Sequence, residues 1–140
     1  MSAPAVKAPA PPTHAEIQQL QDQLIKARDA FQTHETELQK LSTSRSKLLT
    51  QLNENEMVKK EFDLLEGEAK IYKLNGPVLF KQTKDEAETT ITARLEIINN
   101  NLKTIETNFK DIEKKAMEQR NKIFEYQNKI RSLTAPPQAQ

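Results

Sequence analysis

The chain has 140 residues, a formal net charge of +1, 29% charged residues and only 5% aromatics, with no Trp. A length of this order ordinarily means one domain, but the apolar content is too low for a compact multilayer core, so burial must follow a narrow seam or need partners. Interspersed charges without a basic stripe argue against nucleic acid, no Cys excludes disulfides and thiolate metal sites, and two glycines cannot build a phosphate loop or a dinucleotide fingerprint.

Residues 1–12 are Ala/Pro-rich, and Pro4, Pro9, Pro11 and Pro12 cannot sustain a helix, so a disordered tail is expected there. The stretch has no apolar core and does not read as a signal peptide, and no apolar run in the chain approaches transmembrane length. These features predict a soluble intracellular chain without a membrane partner, and the lack of Cys fits a reducing compartment.

Thr13-His-Ala-Glu16 is a capping-box pattern, with Thr13 as N-cap and Glu16 reaching back to its amide. A first apolar seam follows at alternating spacings of three and four: Ile17, Leu20, Leu24, Ala27, Phe31, His34, Leu38, Leu41, Arg45, Leu48, Leu52 and Asn55. The spacing predicts a helix over 13–66 that stops near Gly67, a residue suited to the position just past a helix end.

Residues 70–82 change character. Ile71, Tyr72, Leu74, Val78, Leu79 and Phe80 crowd around Asn75-Gly76, a hairpin signal. With Asn75-Gly76 as the turn, residue 77 would have to donate the closing hydrogen bond, and Pro77 has no N–H. A looser four-residue reversal is therefore expected, with strands near 70–74 and 78–82.

Thr83-Lys-Asp-Glu86 repeats the capping box and opens a second helix over 84–134, ended by Pro136-Pro137, with 136–140 as a short tail. Its seam is the cleaner one: Ile91, Leu95, Ile98, Leu102, Ile105, Phe109, Ile112, Ala116, Gln119, Ile123, Tyr126, Ile130 and Leu133, with Gln119 alone polar. A sustained 3.5-residue period specifies a left-handed coiled-coil stripe. Glu106–Lys110, Asp111–Lys115, Glu118–Lys122 and Glu125–Lys129 add i,i+4 pairs in the favourable order.

The two helices are equal in length, each about 75–80 Å at ~1.5 Å per residue. Joined by a short reversal they form an antiparallel coiled-coil hairpin, a single domain over 13–135 in which facing residue numbers sum to about 150. This register places Phe31 beside Gln119, His34 beside Ala116 and Leu52 beside Ile98. Polar seam residues Arg45, Asn55 and Gln119 either set register or loosen the seam locally.

Catalytic constellations are absent from the sequence. His34-Glu35-Thr36-Glu37-Leu38 is an HExxH pattern with Leu in place of the second histidine, so a metal would lack a ligand. The carboxylates lie on solvated faces among lysines with no cleft to shift them. No enzyme, metal or cofactor is expected.

Two features demand a role. A two-stranded hairpin is marginal in water and both of its strands are edges, so it must fold back on the helices or pair with strands of other chains; the density of its apolar residues favours pairing. At the terminal turns, Ile17, Leu20, Leu24, Ile123, Tyr126, Ile130 and Leu133 continue the seams where helices fray. They are either ordinary seam or an adaptable apolar surface.

The segment Lys70–Gln82, followed by Asp85-Glu86-Ala87, resembles the β-class prefoldins. The shared pattern is Tyr72-Lys73-Leu74 on one strand, Gly76-Pro77-Val78 at the turn, and Lys81-Gln82 closing the second strand. One hairpin between the helices, where α-class subunits have two, places the resemblance in the β class. Asn75 departs from the apolar residue expected there, and the Pro-rich tails lie outside the family core. The resemblance implies a heterohexameric chaperone whose hairpins assemble into β-barrels. Its partners would be other α- and β-class prefoldin subunits. Its coiled-coil tips would hold unfolded clients such as actin and tubulin and pass them to the cytosolic chaperonin without nucleotide hydrolysis. On that reading Ile71, Tyr72, Leu74, Gly76, Pro77, Val78, Leu79 and Phe80 serve assembly, and the seven terminal seam residues serve client contact. A structural coiled-coil tether or cytoskeletal adaptor is the rival, and it gives no reason for the β-hairpin.

Overall fold

The structure, a computed structural model, describes residues 13–67 and 69–136. In chain order it contains α1 (His14–Leu64), β1 (Ile71–Asn75), β2 (Val78–Gln82) and α2 (Lys84–Thr134). The tail expected at 1–12, and all of the one expected at 136–140 except Pro136, lie outside the described residues.

Both helices begin where their side chains can satisfy the first free amides. The Thr13 amide donates to Glu16 Oε2 at 3.0 Å and the Glu16 amide to Thr13 Oγ1 at 3.3 Å. The same reciprocal pair opens α2, with the Thr83 amide on Glu86 Oε2 and the Glu86 amide on Thr83 Oγ1, both at 3.2 Å. Each box removes two orphan donors and brings a carboxylate to the positive end of the helix dipole. Inside the helices, threonines that would otherwise favour extended backbone return their hydroxyl protons to the carbonyl four residues earlier. Thr43 donates to Gln39 and Thr107 to Lys103, both at 3.1 Å.

The end of α1 departs from expectation. The helix stops at Leu64, and the Leu65 amide bonds the Phe62 carbonyl at 3.2 Å, a tightened last turn. Gly67 does not take a left-handed conformation; among the described residues Gly76 alone has positive φ. Termination by an i→i−3 bond leaves no need for a left-handed glycine.

The hairpin reversal also differs. Asn75 pairs with Val78, so the loop has two residues, Gly76 and Pro77, and the looser four-residue reversal does not form. The pairing sits one residue along from the Asn75-Gly76 turn, so the closing amide belongs to Val78 and the missing N–H of Pro77 costs nothing. Gly76 has φ +60°. A glycine at positive φ followed by a proline fixed near −65° is the combination that a type II′ turn requires, and this turn matches strand twist.

The chain divides into two compact units, Glu37–Ile112 and Met1–Thr36 with Glu113–Gln140. In the first, Ala87, Ile91, Ile98 and Leu102 are buried along α2, against half-buried Leu38, Leu41, Leu48, Leu52 and Phe62 on α1. In the second, Ala27 and Ala116 are buried while Ile17, Leu20, Leu24, Phe31, Ile123, Tyr126 and Ile130 are half-buried. A two-helix seam has one partner per residue, so it hides small side chains fully and large ones by half.

The expected register holds within each unit. In the first, Arg45 on α1 meets Glu106 on α2 at 3.9 Å, and Val58 and Phe62 line one groove with Ala87 and Ile91. In the second, Leu20 lines a groove with Asn128, Lys129, Ser132 and Leu133. Facing numbers in every case add to about 150, as an antiparallel pair rising equally along both helices must give.

Candidate interaction surfaces

The hairpin presents its side chains on two faces. Cross-strand partners share a face, so Ile71, Lys73 and Asn75 lie with Gln82, Phe80 and Val78, while Tyr72 and Leu74 lie opposite with Lys81 and Leu79. The root of the hairpin rests on the helices, where Ile71, Tyr72 and Gln82 line the groove with Phe62, Ala87 and Ile91. Beyond the root the cover ends. Leu74 is 70% exposed and Leu79 62%. Tyr72, Val78 and Phe80 are exposed too, so both faces offer apolar surface to solvent. Of the expected assembly residues only Ile71 is half-buried, and Gly76 and Pro77 form the turn.

The other unit pairs the first turns of α1 with the last turns of α2. Its first turn is closed by the Thr13–Glu16 box, and its last is continued by the Ala135 amide on the Arg131 carbonyl at 2.9 Å, where Thr134 Oγ1 also donates to the Ile130 carbonyl at 2.8 Å. Ile17, Leu20, Leu24, Ile123, Tyr126 and Ile130 are half-buried in the seam, and of the seven expected contact residues Leu133 alone is exposed. Among the four expected acid-first pairs, Glu125–Lys129 closes at 2.7 Å. Glu106 turns instead to Arg45. The hydrogen bond from Lys129, aided by its charge, lowers the Glu125 carboxyl pKa below its ordinary value, and the same bond raises that of Lys129. Both groups are solvated, so the pair orders the helix surface more than it stabilises the fold.

The polar seam residues resolve differently from one another. Arg45 is exposed and reaches across to Glu106, whereas the Asn55 amide group donates to its own helix, on the Gln51 carbonyl at 2.6 Å. Gln119 is half-buried. His34 lies half-buried on the seam, and among the described residues no three His, Cys, Asp or Glu side chains are grouped to hold a metal.

Several exposed apolar side chains escaped the seam pattern: Ile25, Met57, Leu64, Ile97, Met117 and Phe124. The signal for three of them is a doublet in which a seam residue is followed directly by a second apolar residue, as in Leu24-Ile25, Ala116-Met117 and Ile123-Phe124. The second member turns about 100° away from the seam and cannot share its burial.

Comparison with known proteins accounts for this combination of capped helices, uncovered hairpin and two-helix seam. The family model described as "Prefoldin subunit" matches residues 18–130. The chain is 90% identical over 136 residues, 97% of each protein, to the probable prefoldin subunit 6 of Dictyostelium discoideum. It is 52% identical over 59 residues to prefoldin subunit 6 of Arabidopsis thaliana, covering 42% of this chain and 46% of that one. The crystal structure of the prefoldin beta subunit from Thermococcus strain KS-1 superposes with a TM-score of 0.59 at 23% identity, over 91% of this chain and all of that one, which matches the fold. Paired long helices around a single hairpin, the matched family model and near-identity along almost the whole length lead to one conclusion: the chain belongs to the prefoldin family.

Proposed function

We propose that the chain is one subunit of a heterohexameric, ATP-independent holdase of the cytoplasm. Prefoldin subunits assemble with other prefoldin subunits and serve as chaperones. The finer reading gives each unit a task. Hairpin strands pair with those of neighbouring subunits into β-barrels, while the terminal seam residues hold non-native polypeptides such as actin and tubulin and pass them to the cytosolic chaperonin.

The observation that carries this reading is the hairpin itself. Two strands with apolar side chains exposed on both faces are unstable alone, and pairing with further strands covers faces and edges together. Client holding is supported less directly, by half-buried seam residues at helix ends, where local opening requires the least free energy. A coiled-coil tether would share the seams but leave the hairpin without a task.

The test is trimming. Removing matched terminal turns of both helices, through Leu24 and from Ile123, should leave the mass of the co-expressed assembly at six chains while abolishing suppression of client aggregation. Full suppression by the trimmed assembly would overturn the client assignment.

A further inference from the structure

A groove runs along the free edge of β1. Ile71, Tyr72, Lys73 and Leu74 all line it, whereas β2 contributes Gln82 alone. Consecutive strand residues point to opposite faces, so a groove that touches four in a row follows the edge of the strand. The other edge of β1 is paired with β2, which makes this the open one. Buried Ala87 and Ile91 of α2 and half-buried Phe62 of α1 give the groove an apolar floor, and its volume is about 230 Å³. That suits a side chain or two of an extended segment better than a small molecule, whose pockets run to ~300–1,000 Å³.

Lys73 and Arg94 line the groove, and no acidic residue does. Both are exposed, and among the described residues neither has an ion-pair partner within 4.0 Å. Glu54 and Glu61 flank Val58 on α1 but lie outside the lining, and Glu88 bridges Lys84 at 3.8 Å. Residues 70–82 include Lys70, Lys73 and Lys81 and no acid, so the hairpin of a second copy would bring none either. Strand geometry sharpens the point. Lys73 is the central residue of β1. Two copies of β1 paired antiparallel over their whole length about a two-fold axis set Lys73 against Lys73 of the second copy, and directly opposed like charges destabilise. Sliding the strands by two residues, the smallest step that keeps their faces aligned, parts the lysines but gives up some of the pairing.

We propose that this groove receives an edge strand of a different prefoldin subunit, with an apolar side chain on Phe62 and Ile91 and a carboxylate toward Lys73 and Arg94. The proposal rests on the strand-pairing reading of the hairpin and deepens it, naming the edge that is used and the charge of what fills it. The backbone of an open edge offers hydrogen bonds to any strand; side chains make the choice. A carboxylate gains a charge-assisted bond from Lys73 and a planar, two-pronged one from the Arg94 guanidinium, whereas a lysine at that position is repelled.

The experiment is a competition. Wild-type chain and a variant, carrying different tags, are co-expressed in equal amounts with the other prefoldin subunits, and native mass spectrometry reads each one's share of the six-chain assemblies. Lys73→Glu with Arg94→Glu should lower the variant's share about tenfold, and Lys73→Thr with Arg94→Gln should lower it less. Lys47→Glu with Lys103→Glu changes net charge equally at exposed helix positions outside the groove and should keep an even share. All these positions are exposed, so circular dichroism should show wild-type helix content. A loss for Lys73→Glu with Arg94→Glu no greater than that of the Lys47/Lys103 variant would overturn the proposal. Carbodiimide, which joins an amine to a touching carboxylate, names the occupant in the wild-type assembly: Lys73 should be recovered linked to an acidic residue of a different subunit. Lys73 unlinked, linked within its own chain, or linked to a second copy would overturn the assignment. If replacing 70–82 abolishes co-assembly while the charge variants compete evenly, the groove assignment alone fails; if that replacement is without effect, the strand-pairing reading falls too.

Discussion

At Gly76 the demand on the residue comes from the backbone alone. A Cβ built there meets nothing within 4 Å, yet φ is +60°, where an L side chain crowds its own carbonyl. Gly76→Ala should therefore destabilise the reversal by about 1–2 kcal/mol without any steric clash in the surroundings. Because an isolated hairpin is marginal, that cost corresponds to a roughly tenfold loss of correctly paired strands before assembly. Titrating the Gly76→Ala subunit against its co-expressed partners should show assembly shifted to higher concentration with helix content retained; an unchanged titration would mean that Gly76 is not needed for the turn. Arg45 and Asn55 make a contrast at the same scale. Both interrupt the seam, but only Arg45 reaches the other helix, so register is read from it and not from Asn55.

At the scale of elements, the helices owe their starting points to the two capping boxes. Thr83→Ala removes the acceptor of the Glu86 amide, held at 3.2 Å, and should destabilise the start of α2 by about 1 kcal/mol. The expected readout is faster hydrogen exchange at Glu86 and Ala87, with the middle of α2 unaffected. Glu86→Ala should do nearly the same, and the two together less than their sum, since each deletion already disables the reciprocal bond. These starts were legible because a capping box is a local code, four residues read without reference to the rest of the fold. The seams were legible for a related reason: a 3.5-residue period states which side of a helix is buried, and every seam residue except Arg45 and Leu133 is at least half-buried. Elsewhere several possibilities satisfied the same residues. The hairpin pairing slipped by one because Asn-Gly and Gly-Pro are both turn-forming, and the choice depends on which strand register the two chains of hydrogen bonds can complete. Ile25 and Phe124 were hidden in plain sequence, since a seam search discards any apolar residue that breaks the period.

Taken as a whole molecule, the chain is stable along its seams and incomplete at its hairpin, and this asymmetry separates a chaperone subunit from a tether. A tether made of two paired helices satisfies its apolar surface internally; its oligomeric state would not depend on residues 70–82. Here Tyr72, Leu74, Val78, Leu79 and Phe80 are all exposed in a sheet of two strands, which leaves one hydrogen-bonding edge open on each strand. The free energy available from covering them is large relative to that of the hairpin alone, at about 1.5–3 kcal/mol for each large apolar side chain fully buried. Replacing 70–82 by a short Gly/Ser linker should accordingly abolish co-assembly while far-ultraviolet circular dichroism still reports helix, because the seams do not use the hairpin. Leu74→Lys with Leu79→Lys provides the sharper form. These two oppose each other on one face, and placing like charges there blocks burial while leaving the turn and the backbone pairing available. Native mass spectrometry of the co-expressed subunits should then show the altered chain excluded from the assembly. A six-chain complex that tolerated either change would return the hairpin to the status of a mere connector and leave the tether as the better account.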